Sequence, residues 1–377
     1  MKIISFSYYD KVRNWGFENL EFLKLSLLVG ASGVGKTQIL RALENLKKIV
    51  DGKSLNGIRW EITFASLNNR IYNWKGEFEE KKYILTDAAN DTQEESILLW
   101  EYLSEDEVEL AKRDRDGIIF RGEKTVKLAA YQSIIYLLKA EPVIQMAESG
   151  LSKIKMMETP VPNSPIYVPE MALRMMVEMD NGNEDTLLNS EVSSIRIKLL
   201  VASRLKNKAL FQSIKNRYID IFPQVEDIRI VRQTASRDLS HMMDEYMIQI
   251  KERGVTEWIP QQDISSGMLR SLMQICEIYL CPEGSVLLMD EFENSLGVNC
   301  IDELTNDILS AKRNVQFILT SHHPYIINNI PYQNWKIVTR KGGKVTVKNA
   351  SDYRIGESKH DYFMQLLQLE EFSNGVD

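Results

Sequence analysis

Apolar residues in the first fifty positions fall into short blocks of strand length, and one of them, Leu25-Ser26-Leu27-Leu28-Val29, is nearly continuous. A run of that length, closed by glycine, predicts a strand buried on both faces. Lys2 to Tyr8 and Phe17 to Phe22 read as two more strands. From Lys36 the spacing changes, and Ile39, Leu40, Leu43 and Leu46 recur at helical intervals that turn one stripe toward a core. Between about 55 and 128 the chain alternates: Ile58, Trp60, Ile62 and Phe64 stand among polar neighbours, followed by Ile71, Tyr72, Trp74 and the run Ile118 to Phe120 turning at Gly122. That is the texture of an antiparallel lobe. From Tyr131 to about Met247 the pattern is helical and rich in methionine, broken by loops at 159–165 and 181–183.

The α/β texture then returns. Ile264-Ser265-Ser266-Gly267 leads into a helix through Leu280, and Ser285 to Met289 predicts a strand ending in Asp290-Glu291. A helix over 299–309 precedes a strand from Val315 to Leu319 that ends in Thr320-Ser321-His322-His323. The expected organisation is an α/β core made of residues 1–50 and 260–377, an antiparallel β lobe over 51–130 and a helical insertion over 131–259. No sustained heptads occur, which excludes a long coiled-coil arm.

Composition narrows the class. Among 377 residues, 44% hydrophobic and 26% charged is the balance of a folded domain rather than a disordered chain. Met1 to Phe6 runs directly into Tyr8, Tyr9, Asp10 and Lys11, without a long apolar signal segment, and no apolar run is long enough to span a bilayer, so a cytoplasmic location with no membrane partner is expected. Cys276, Cys281 and Cys300 lack metal or disulfide spacing and are expected to be buried thiols. The net charge of -7 hides two opposite tracts. Residues 77–109 hold twelve acids against Lys81 and Lys82, whereas 192–219 hold seven cations (Arg196, Lys198, Arg204, Lys206, Lys208, Lys215 and Arg217) and no acid. The basic tract could track the phosphates of DNA, or it could be a solvated helical face with thin aromatic interleaving.

The chemistry begins at Gly30-Ala31-Ser32-Gly33-Val34-Gly35-Lys36-Thr37, which fits G-x-x-x-x-G-K-[ST] after a buried strand and before a helix. Its glycines let successive amides face a β-phosphate at a helix N-terminus, Lys36 is expected to bridge the β- and γ-phosphates, and the Thr37 hydroxyl is expected on Mg2+. Asp290, at the end of an apolar strand, is the expected second magnesium group, and Glu291 can polarise an attacking water. The simpler alternative for this pair is an acidic helix start.

The order GASGVGKT, ISSGMLRSL, VLLMDEFENSLG, FILTSHHP, with a long insertion after the first, resembles the ABC-type ATPases of the SMC, Rad50 and OLD group, especially compact bacterial members of phage-defence and abortive-infection systems. The resemblance implies a P-loop head: a mixed sheet flanked by helices, an antiparallel lobe and a helical insertion. It also implies that Ser265, Ser266 and Gly267 reach the γ-phosphate held by a second subunit, that His322 senses that phosphate with His323 as competitor, and that Gln132 is a candidate for the Q-loop glutamine. The function so implied is a homodimer or higher homo-oligomer that closes around ATP and Mg2+ and controls a separate effector, a nuclease or toxin encoded nearby. Fifty-five residues follow His322, too few for an appended Toprim nuclease, so the effector is expected on another chain. Two alternatives remain: a RecF- or Rad50-like ATPase that clamps DNA in repair, and a nucleotide-gated scaffold with negligible turnover.

Overall fold

The computed structural model describes residues 1–81, 95–157, 164–179, 183–190, 194–233, 244–294, 296–310, 313–353, 362–368 and 375. Strands β1 (Lys2–Asp10) and β2 (Trp15–Glu21) precede the wholly buried β3 (Leu25–Val29), from whose end α1 (Lys36–Val50) departs. Then come β4 (Ile58–Ala65), β5 (Ile71–Phe78), β6 (Leu98–Glu105), β7 (Val108–Asp114), β8 (Gly117–Phe120) and β9 (Glu123–Lys124). Helices α2 (Ile134–Leu137) and α3 (Pro142–Leu151) lead to β10 (Ile154–Met156). After β11 (Ile166–Val168) stand α4 (Glu170–Met179), α5 (Glu184–Asn189), α6 (Ile195–Arg204) and α7 (Ala209–Ile221), then β12 (Val225–Gln233), β13 (Asp244–Glu252) and β14 (Ile259–Pro260). The chain continues with α8 (Ser266–Leu280), β15 (Val286–Met289), α9 (Val298–Ser310), β16 (Gln316–Thr320) and α10 (Pro324–Asn329). Strands β17 (Trp335–Lys341) and β18 (Lys344–Asn349) and helix α11 (Tyr362–Gln368) follow.

Two compact units result: Met1–Met156 with Gly284–Phe292 and Ala311–Asp377, and Met157–Glu283 with Glu293–Ser310. The first is a mixed α/β layer. Its fourteen strands run β10-β15-β16-β3-β17-β18-β2-β1-β4-β5-β6-β7-β8-β9. The block from β10 to β17 is parallel, and its short apolar strands are buried on both faces, as a helix-covered parallel sheet requires. The block from β2 to β9 is antiparallel. Its alternation is the one expected: Ile58, Trp60, Ile62 and Phe64 of β4 are buried while their neighbours are not. The lobe and the core share one sheet, because β4 pairs along the length of β1. The apolar stripe of α1, with Ile39, Leu40, Leu43 and Leu46 fully buried, belongs to one cluster with Trp60, Trp74 and Phe78. Gln316 fastens this unit at the start of β16. Its amide bonds both main-chain groups of Ile3 (2.7 and 2.9 Å) and the carbonyl of Leu23 (2.8 Å), although β16 and β1 do not pair.

One carboxyl lies inside the antiparallel block. Glu101 faces Arg113 across the β6–β7 ladder and accepts from Trp74 Nε1 (2.8 Å) and from Ile134 N (2.7 Å) at the start of α2. Burial pushes it up to about 7, against the pull of Arg113 and of these two donors.

The second unit combines helices α4 to α9 with a small antiparallel sheet, β11-β13-β12, to which β14 adds at β13. This sheet corrects the helical reading of 131–259. Val225, Ile228 and Ile230 of β12 and Tyr246, Ile248 and Ile250 of β13 form its buried face, and a bulge near Val225 obscures the period of two. All three cysteines are buried and unpaired by disulfide, as expected. Most of the loop at 159–165, residues 181–182 and the acidic stretch 82–94 lie outside the described residues. Among the described residues, no helix is long and apolar enough to cross a membrane.

Candidate functional site

The sheet order sets β15, β16 and β3 side by side and parallel, so their carboxyl ends open on one edge of the first unit. That edge is where open α/β sheets bind ligands. From β3 comes the phosphate loop. Gly30 approaches β17 so closely that a Cβ would lie 2.3 Å from the Val338 carbonyl, and Gly35 enters α1 at φ 106, in the left-handed region. Lys36, 6% exposed, folds its ammonium back onto the carbonyls of Gly30 (2.7 Å) and Ala31 (2.8 Å), within the loop itself. Ser32 and Gly33 are exposed and Val34 is buried. No acidic residue of the helix itself occupies the first turn of α1, so its own sequence leaves the positive end of the helix dipole to an anion from elsewhere.

The Thr37 hydroxyl donates to Asp290 Oδ1 at 3.1 Å, joining the loop to the end of β15. The same oxygen accepts from Thr320 Oγ1 at 2.7 Å, at the end of β16. Thr320 is a clip. Its Oγ1 also accepts from the Glu291 amide (2.7 Å), and its carbonyl accepts from the Phe292 amide (3.0 Å). This holds the chain after β15 in a sharp turn in which Glu291 takes φ 45 and stays exposed. The acidic helix start is thereby excluded for this pair, since α9 begins only at Val298. In the sequence Thr320 reads only as a strand end; its role depends on a strand neighbour that linear spacing does not reveal.

The two histidines divide. His323 caps α10, its Nδ1 accepting from Tyr325 N at 3.3 Å, while His322 is exposed two residues beyond β16. Gln132 precedes Ser133, the N-cap of α2, and makes no hydrogen bond among the described residues. Gly375 was also unforeseen: its carbonyl accepts from Arg340 N (2.8 Å), and a Cβ there would lie 2.8 Å from Val34 and 3.1 Å from Ala31, so it rests on the phosphate loop.

The Thr37 hydroxyl and Asp290 carboxylate offer hard oxygen donors of the kind Mg2+ takes. Among the described residues no cluster of three or more His, Cys, Asp or Glu could hold a metal alone. Magnesium binds through one or two protein oxygens and completes its shell with water and substrate phosphates.

In the second unit, Ser265 is the N-cap of α8, its Oγ accepting from Met268 N at 3.2 Å. Ser265 and Ser266 are exposed, and the Gly267 carbonyl accepts from Ser271 Oγ (2.9 Å). No acid stands in the first turn of α8 either. The basic tract behaves differently from a phosphate track. Arg196 donates to the Ser164 carbonyl, the buried Lys198 to the Leu188 carbonyl (2.8 Å), Lys215 pairs with Asp227, and Arg217 binds Glu303 and Asp307 (2.8 Å each). Among the described residues, Arg204, Lys206 and Lys208 of this tract are exposed and have no partner.

Residues 181–328 match a family model described as "AAA domain, putative AbiEii toxin, Type IV TA system". No curated protein matches the chain. Solved structures similar to it include an SMC head bound to the C-terminal winged-helix domain of ScpA (13% identity, 92% of this chain and 98% of that one, TM-score 0.46) and the SMC head domain from Thermotoga maritima (11%, 93% and 99%, 0.42). A third is an Smc head with an extended coiled coil bound to the C-terminal domain of ScpA derived from Pyrococcus furiosus (13%, 97% and 98%, 0.46). At such identities and scores these likenesses add nothing to the strand order, on which the fold rests. The matched segment carries Ser265, Asp290, Glu291 and His322, and the phosphate loop lies outside it.

Proposed function

We propose that the chain is an ABC-type ATPase that closes as a homodimer around ATP and uses the closed state to regulate a separate effector in anti-phage defence. The observation that supports this best is the meeting of Lys36, Thr37, Asp290, Glu291 and Thr320 at the ends of three adjacent parallel strands, with His322 two residues further on. Lys36 would exchange its loop carbonyls for the β- and γ-phosphates of ATP. Thr37 and Asp290 would hold magnesium, which when bound neutralises charge on the transferring phosphate. Glu291 would take the proton of the water that attacks the γ-phosphorus while the bond to the β,γ-bridging oxygen breaks and ADP leaves. His322 would orient that water. Ser265, Ser266 and Gly267 would complete the site of the partner subunit, for which an exposed, acid-free helix N-terminus is suited. The effector reading draws on the matched family's description, which carries the words "putative AbiEii toxin, Type IV TA system". A cytoplasmic location goes with this reading.

DNA clamping draws less support, because four of the seven cations of the basic tract are spent inside the unit. The test is turnover and mass with Mg2+ and ATP. Glu291→Gln should cut turnover at least a hundredfold and leave a species of twice the monomer mass. Unchanged turnover with no added mass would end the catalytic assignment and leave the scaffold reading.

A further inference from the structure

Arg204, one of the three cations left over from the basic tract, lines a concavity of about 410 Å³ within the second unit, together with Arg174, Arg232, Leu173, Val177 and Tyr246. The rim also carries Glu170 and Glu178. Two of the three guanidinium groups are held in place by acids. Glu170 accepts from Arg174 Nε (3.0 Å) and from the Tyr246 hydroxyl (2.5 Å), and Asp244 binds Arg232 while accepting from the Glu170 amide (2.7 Å). The Glu170 carboxyl sits below its usual range, held there by the Tyr246 and Arg174 bonds with a smaller pull from Arg232, so the acid stays charged and the arginines stay pinned.

What these bonds leave unspent is informative. Among the described residues, Arg174 engages only Nε, which leaves both terminal amino groups without a partner; Arg232 engages one terminal nitrogen; Arg204 engages none. Planar donors fixed in direction but not consumed match phosphate oxygens taken two at a time. The apolar side of the cavity, Leu173 and Val177, suits an uncharged body attached to that phosphate. The volume lies in the range of small-molecule sites, whereas a duplex needs a long groove.

We propose that this cavity binds a small phosphate ester of nucleotide size, with Arg174, Arg204 and Arg232 on the phosphate and Leu173 and Val177 against the rest. The cavity shares no residue with the phosphate loop, so the proposal does not rest on the ATPase reading.

Titration calorimetry on the full chain carrying Lys36→Ala removes the loop as a competing site. The probes are inorganic phosphate, adenosine 5′-monophosphate, adenosine, and a 5′-phosphorylated single-stranded oligonucleotide. Saturable binding of the monophosphate, with none of adenosine, is expected. Arg204→Ala should weaken it at least tenfold, the loss that removing a charge-assisted hydrogen bond brings, and Arg204→Lys should recover part of it. Arg204 is exposed at the end of α6, and its removal should leave the far-ultraviolet spectrum unchanged. Binding of the oligonucleotide but not the monophosphate, equal binding by Arg204→Ala, or no binding by any phosphate at millimolar concentration would each overturn the proposal.

Discussion

Replacing Thr320 by valine tests the clip between β15 and β16. Valine keeps the shape of a side chain that is 1% exposed and removes only the hydroxyl. Two bonds are lost, the donation to Asp290 Oδ1 (2.7 Å) and the acceptance from the Glu291 amide (2.7 Å). A hydrogen bond to a charged group contributes about 1.5–3 kcal/mol, and stranding an amide adds about 1–3 kcal/mol where water cannot reach it. Glu291 is exposed, so its amide regains some water, and the expected loss is about 2–4 kcal/mol. Urea unfolding followed by tryptophan emission is weighted toward the right unit, since five of the six tryptophans, Trp15, Trp60, Trp74, Trp100 and Trp335, lie in the first one and only Trp258 lies in the second. The midpoint should fall with an unchanged slope. Thr320→Ser keeps the oxygen and should stay within about 1 kcal/mol of the parent. If valine unfolds at the parent midpoint and turns over ATP at the parent rate, the clip neither stabilises the turn nor supports the site.

Three further outcomes follow from the geometry. Because burial raises the Glu101 carboxyl to about 7 in the folded protein, the folded state holds its proton more tightly than the unfolded chain. The stability of the first unit should therefore decline as pH rises from about 4.5 to 7, and urea midpoints of Glu101→Gln should lack that slope. His322→Ala should lower ATP turnover with little change in unfolding, whereas His323→Ala should cost about 0.5–1 kcal/mol through the α10 cap and spare turnover. Cys276, Cys281 and Cys300 should all resist Ellman's reagent in the native protein and react after unfolding, because each is buried and burial raises the Cys276 thiol further.

Much of the first unit was legible because its signals are local. The run Leu25 to Val29, the glycine loop, the stripe of α1 and the apolar strands before Asp290 and Thr320 each declare themselves within a few residues. The small sheet of the second unit was hidden, since β12 pairs with β13 across residues 234–243 and a bulge shifts its register. Charge counting failed for a related reason. Arg196, Lys198, Lys215 and Arg217 find Ser164, Leu188, Asp227, Glu303 and Asp307, partners 10 to 90 residues away, so four of the seven cations of a tract that is basic in one dimension are engaged by carbonyls and carboxylates in three. Thr320 was missed likewise, because its chemistry comes from a neighbouring strand.

Glu291 occupies a left-handed backbone conformation, φ 45, that disfavours every side chain larger than hydrogen by about 1–2 kcal/mol. A laboratory selection for heat resistance would therefore meet glycine at this position as an easy gain. The winners would fold better and carry no carboxylate at the mouth of the sheet. Any thermostable derivative of this chain should accordingly be sequenced at codon 291 before its activity is interpreted, since there the demands of the backbone and of the chemistry call for different residues.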